Sequence, residues 1–158
     1  MKKIKLTQNK IAIVDNFDYE ELSRYKWCAH RDGNNYYVIR GIYNSITKRT
    51  NIIYMHNQII GFKGIDHING NGLDNRRCNL RTATRSQNAA NCRKHNRNAS
   101  SKFKGVRWCN WVNQWMVRIS KNYKSIFIGY FKSEKEAAKA YNEKAKEFFG
   151  KYARLNNL

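Results

Sequence analysis

Apolar positions recur every second residue over much of this chain, and the runs break at residues that favour turns. Short alternating runs at 4–6 and 11–14 flank Thr7, Gln8, Asn9 and Lys10, which predicts a hairpin. A helix is expected over 18–25, where acidic residues occupy the first turn as the helix dipole prefers, and a strand is expected to begin at Trp27. The turn residues Asp32, Gly33, Asn34 and Asn35 then lead into a strand at 36–40. A further hairpin turns at Thr47, Lys48 and Arg49 and returns through 52–55, which delivers His56 to a short segment closed by Gly61.

Residues 1–60 therefore read as a β-rich module, and the texture changes after it. From 61 to 91 Asn, Gly and Arg dominate, and apolar residues are too sparse to form a core without the preceding segment. Residues 92–102 show no apolar period and read as a basic linker. Residues 103–158 regain a clear pattern: Trp115, Val117 and Ile119 alternate with Met116, Arg118 and Ser120. A turn at Lys121 and Asn122 leads into Ile126, Ile128 and Tyr130 with period two, and a third strand is expected near 104–108. Ser133 stands three residues before Glu136, as in a capping box. Ala137, Ala138, Tyr141, Ala145, Phe148 and Phe149 then trace one face of a helix stopped by Gly150. The expected class is α+β, with a β-rich N-terminal module and a C-terminal three-stranded antiparallel sheet packed on one helix.

Charge changes the picture from fold to partner. Against 11 Asp and Glu there are 31 Lys and Arg, a formal net charge of +20. Between Asp74 and Glu134 lie fourteen Lys or Arg and no carboxylate. Trp108, Trp111, Trp115 and Ile119 interrupt that basic stretch, which sets it apart from a disordered tail and points to a folded surface for nucleic acid. No run of eighteen apolar residues and no apolar leader occurs, so an intracellular, cytoplasmic protein without a membrane segment is expected. Cys28, Cys78, Cys92 and Cys109 lack C-x-x-C spacing and are expected to be reduced, buried or half-buried thiols.

The middle segment carries the chemistry. Residues 66–91 contain D-H-x-x-G-x-x-x-D-N-R-x-x-N-L-R followed by S-Q-N-A-A-N, and this resembles the signature of HNH (ββα-metal) nucleases. The resemblance implies Asp66 and His67 at the end of a strand, then an Asn-rich loop, Asn79 near a second strand and Asn88 on a helix. Phosphodiester hydrolysis needs a base near neutral pH, and an imidazole suits that task, which makes His67 the candidate. The Asp66 carboxylate and the Asn88 amide are oxygen donors suited to one hard divalent cation, Mg²⁺ or Mn²⁺, with no small-molecule cofactor. Asn79 is read as a brace that aims His67, Asp74 and Asn75 as turn residues of the same loop, and Arg76, Arg77, Arg81 and Arg85 as partners of phosphate or of the transition-state charge. Asn88 stands where the family often has its last histidine, which suits magnesium better than zinc. His56 is expected to pack or cap, and His30 and His95 have no evident partners.

The last module resembles the APETALA-two, or ethylene-responsive-factor, DNA-binding domain in KFKGVRW, W-x-V-x-I, IGYF, SEKEAAKAYNEKAKEFFG and ARLNN. That resemblance implies a sheet in the major groove, with Arg107, Trp111 and Arg118 as DNA contacts, joined by Trp108 and Lys124. Arg93, Lys94, Arg97 and Lys104 are expected to lie along phosphates, and Trp115 to be core. Cys109, Ser120 and Phe127 depart from the plant pattern, so a target sequence does not transfer. The combination resembles homing endonucleases of bacteriophages. A monomer acting on double-stranded DNA and nicking one strand is expected, with a non-catalytic DNA-binding regulator and an RNA-binding protein as rival readings.

Overall fold

The computed structural model describes residues 1–94 and 99–158, and these divide into two compact units, 1–83 and 84–158. Both mix helix with small antiparallel sheets.

In the first unit a two-stranded sheet pairs β1 (Lys2–Lys5) with β2 (Ile11–Val14), so the hairpin turn falls where Gln8 and Asn9 take positive φ. Helix α1 spans Asn16–Leu22, two residues earlier than the expected start, and ends at Ser23. Asp15 is its N-cap, yet the Asp15 carboxylate makes no capping bond and instead accepts from the Arg77 N–H at 2.8 Å. A three-stranded sheet follows in the order β3 (Cys28–Asp32), β4 (Asn35–Asn44), β5 (Arg49–Tyr54). Helix α2 (Met55–Ile60) closes at Gly61 in the left-handed region, and a short ladder pairs β6 (Ile65–His67) with β7 (Leu80–Thr82). One core joins all of these: Ile4, Val14, Leu22, Trp27, Val38 and Met55 pack with Ile65 and Leu80 from the Asn-rich segment. The sparse apolar residues of that segment are thus completed by the module before it.

The second unit opens with helix α3 (Arg85–Asn91), started by a capping box in which Thr84 accepts from the Gln87 N–H and the Gln87 side chain accepts from the Thr84 N–H. A three-stranded sheet follows, β8 (Val106–Cys109) and β10 (Lys124–Phe131) flanking β9 (Gln114–Lys121), with helix α4 (Glu134–Phe149) packed on one face. Val106, Val117, Ile119, Ala137, Ala138, Tyr141, Ala145 and Phe149 form the core. Gly105 is required where this strand layer meets α4: it sits at φ 76°, and a Cβ there would lie 2.1 Å from the Tyr141 ring.

Three expectations for this unit are corrected. Ser133 caps α4 by position, but its side chain makes no capping bond; the reciprocal box is at Thr84 and Gln87 instead. The period-two reading of β10 fails at a bulge between Phe127 and Gly129, which turns Tyr130 outward and lets Phe131 join Ile126 and Ile128 at the core. Trp115 is half-buried at the edge of the core, while Met116, expected outside, is buried between its cross-strand partners Arg107 and Tyr130. The thiols are also more open than expected, since Cys28, Cys78 and Cys92 are exposed. No helix among the described residues is long and apolar enough to cross a membrane.

Candidate active site and nucleic-acid surface

The loop joining β6 to β7 is held from three sides by its own unit. Its Leu73 carbonyl accepts from Ile13 of β2 at 2.9 Å, and Asn75 N–H donates back to the Ile13 carbonyl at 2.8 Å. The Asn35 amide donates to the Gly70 carbonyl at 3.1 Å. Gly72 lies so close to β4 that a Cβ would fall 2.3 Å from the Tyr36 carbonyl, so a side chain cannot be placed there. From the other flank Arg77 forks onto Asp18 of α1, with contacts of 2.6 to 3.2 Å. These bonds give the N-terminal module a function that its sequence did not disclose: it shapes this loop.

Inside the loop Asn79 ties three strands of backbone together. Its amide nitrogen donates to the Asp74 carbonyl at 2.8 Å and to the Asn69 side chain at 3.1 Å, while its oxygen accepts from the Asn69 N–H at 3.0 Å. Asp74 is buried, accepts from Asn69, and is gripped by Arg76 through two bonds of 2.7 Å, which hold its carboxyl below the usual carboxylate range.

His67 ends β6 and is buried, with Asp66 buried beside it in the chain. Its Nε2 lies 3.3 Å from the Asn75 side-chain oxygen, while the Asn75 amide nitrogen donates to the Gly72 carbonyl. In that orientation Nε2 is the donor to the Asn75 oxygen. The His67 ring stands edge-on to His56 at 4.9 Å between centroids, with Tyr37 at 5.9 Å. Tyr54 leans on His56 at 5.3 Å, and His56 Nδ1 finds no hydrogen-bond partner among the described residues. Burial, reinforced by the facing His67, pushes His56 down to about 4. Burial lowers His67 as well, opposed by the Asn75 bond and by the charges of Asp66 and Asp74. Both rings are therefore neutral at neutral pH. Arg81 donates twice to one Asp66 oxygen, at 2.7 and 2.9 Å.

Residues 61–90 match the family model for an HNH endonuclease. An uncharacterized HNH endonuclease of Acanthamoeba polyphaga mimivirus is 37% identical over 94 residues, which cover 60% of this chain and 47% of that relative. This chain spans about half the length of the curated relative it matches. Together the two comparisons support a nuclease. The matched segment includes the β6–β7 loop and most of α3, where Asn88 is exposed.

The basic side chains divide into two groups. Arg76, Arg77 and Arg81, read from sequence as phosphate contacts, are each committed to a carboxylate, on Asp74, Asp18 and Asp66 respectively. Lys94 and Lys104 turn their ammonium groups inward, where backbone carbonyls accept them. Lys94 reaches Ser101 and Phe103 at 2.5 and 2.6 Å; Lys104 reaches Ala90 and Cys92 at 2.6 and 2.7 Å and so covers the C-terminal end of α3. Burial brings Lys104 down to about 8.

Outward cations remain on Arg85 and Arg93, and on the sheet face turned from α4. Cross-strand pairing puts Arg107 with Met116 and Tyr130, and Arg118 with Phe127, all on that face. Trp108 pairs instead with Trp115, ring centroids 5.1 Å apart, on the core side of the sheet, opposite Arg107 and Arg118. Trp111 is 96% exposed at the turn between β8 and β9, and Lys124 is exposed at the start of β10. Sequence reasoning missed Phe127 and Tyr130, a ring pair 5.0 Å apart on the same face, because the bulge that turns Tyr130 outward has no glycine pattern of its own before Gly129. It also treated Asn75 as a turn residue, although this wholly buried side chain touches His67. His30 is exposed on β3, and Arg97 and His95 lie outside the described residues.

Proposed function

We propose that this chain is a DNA endonuclease of the homing type, hydrolysing one phosphodiester bond of duplex DNA with His67 as general base and one divalent ion. The observation that carries the reading is a buried imidazole, held by Asn75 and packed on His56, at the end of the strand that also bears Asp66. A neutral imidazole is the form that takes a proton from water. Asn79 acts through geometry: its three bonds fix the loop, and the loop fixes the ring.

In the first unit Asp66 would offer the ion, Mg²⁺ or Mn²⁺, a carboxylate oxygen of the kind that suits a hard cation, although its Oδ2 already accepts twice from Arg81. A divalent ion held there would supply positive charge beside the phosphate under attack. Arg81 holds the Asp66 carboxylate in place. DNA is read by the second unit through Arg107, Arg118, Trp111 and Lys124, with Arg85 on phosphate. This rests on the exposed basic sheet face and on resemblance to the APETALA-two domain. One such site in a monomer nicks one strand and leaves 5′-phosphate and 3′-hydroxyl ends.

A magnesium-dependent plasmid assay tests the reading. His67→Ala is expected to slow nicking by about 10²- to 10⁴-fold while leaving duplex affinity unchanged; cleavage that survives the substitution removes the mechanism. The Arg81 grip on Asp66 favours one rival, a non-catalytic DNA-binding regulator. Duplex binding without cleavage under either Mg²⁺ or Mn²⁺ selects that rival.

A further inference from the structure

The second unit contains a cavity of about 400 Å³ bordered by Arg93, Lys94, Lys102, Lys104 and Arg154, with Phe103 and the 155–157 tail completing its wall. No carboxylate lines it among the described residues. The wall is built in advance, because Asn156 is bonded on four sides. Its side chain accepts from the Lys104 N–H at 2.6 Å and donates to the Lys104 carbonyl at 3.1 Å. Its backbone exchanges bonds of 2.7 and 2.9 Å with the Asn142 side chain on α4.

Lys94 and Lys104 spend their donors on neutral carbonyls, and the Glu134 carboxylate also acts on Lys94. Arg154 is held below its ordinary range by burial and by the facing Arg93, so the cations already strain against one another. Like charges crowded around a preformed hollow are relieved by an anion. The volume lies in the range of ordinary small-ligand sites, but the lining is cationic where a heterocycle would need apolar walls. A phosphate carried on a sugar fits that lining.

We infer that this basin is a second nucleic-acid contact, distinct from the sheet face, which seats one backbone phosphodiester of the bound duplex between Arg93 and Lys102. The inference rests on the DNA-binding half of the proposed function and is independent of catalysis. A phosphate held here adds register without reading sequence.

The test is fluorescence anisotropy of a labelled duplex with the full chain and no divalent ion, across a salt series. Arg93→Gln with Lys102→Gln changes two exposed positions. Lys139→Gln with Lys146→Gln, exposed on α4, removes the same charge away from the basin. The basin pair is expected to weaken binding about ten-fold near physiological salt and to reduce the slope of log K against log salt by about one, with the α4 pair losing less than about two-fold. Equal losses in the two pairs would overturn the inference. So would a wild-type chain that ignores duplex yet gains thermal stability from inorganic phosphate, since the basin would then take a free oxyanion. Absent cleavage, with the basin-dependent slope intact, sinks the nuclease reading alone and leaves the basin standing.

Discussion

In the first unit the three arginines that follow Asp74 are each paired with a carboxylate, whereas in the second unit Arg107 and Arg118 face outward on the sheet. Arg76, Arg77 and Arg81 each find a buried carboxylate within 2.7 Å, and those pairs shape the loop that holds His67. The carboxylates of the second unit, Glu134, Glu136, Glu143 and Glu147, all lie on α4. The sheet face turned from α4 therefore carries none of them. Net charge alone does not mark a nucleic-acid surface; charge without a partner of its own does.

Acid should separate the two units most strongly. His56 is unfolded-like at 6.5 and about 4 when folded, so between those values the unfolded chain binds the extra proton and stability falls as pH drops. The loss is about 3 kcal/mol, complete near pH 4, and the lowered His67 adds in the same direction. Hydrogen exchange should show first-unit amides losing protection from pH 6.5 downward while α4 and its sheet stay protected. His56→Phe should flatten that dependence. Simultaneous loss in both units would break the contrast.

Asn79→Ala comes next. It removes three bonds from a buried side chain and strands the Asp74 carbonyl, a cost of about 2 kcal/mol in the first unit. Nicking should fall with it, and duplex affinity should hold. A variant of normal stability and full activity would deny Asn79 its bracing role.

Much of this was legible beforehand, and the failures share a cause. Strands with strict alternation and a hairpin at Asn122 could be read because periodicity and turn chemistry are local properties. Asp66, His67, Asn79 and Asn88 could be singled out because their spacing lies within one short segment. What could not be read depends on residues far apart in sequence. Arg77 looks like any other exposed arginine until Asp18, fifty-nine positions away, appears beneath it. Lys104 looks like a phosphate contact until the end of α3 arrives against it. The N-terminal module showed no role because its bonds to the loop are made by backbone groups at Ile13 and an amide at Asn35, neither of which carries a motif.

Lys104→Met tests one such hidden contact at smaller scale. The side chain keeps its length and loses the donor, which leaves the last carbonyls of α3 uncovered and costs about 1 to 2 kcal/mol in the second unit. Thermal melts with segment-resolved exchange would place the loss at α3. A drop in duplex affinity without any loss of α3 protection would show that Lys104 faces phosphate after all.

The smallest effect divides the units most cleanly. Arg77→Gln and Arg118→Gln remove the same charge from two exposed guanidiniums, one committed to Asp18 and one on the open sheet face. Arg118→Gln should weaken duplex binding several-fold and lower the salt slope by about one, because a phosphate or base edge loses its partner and a counterion is no longer released. Arg77→Gln should leave that slope where it was and instead cost about 1 kcal/mol or less of first-unit stability, since its ion pair is partly exposed to solvent. If both variants shift the slope equally, the internal pairing of arginine does not withdraw it from DNA, and the distinction between the two units is one of packing rather than of function.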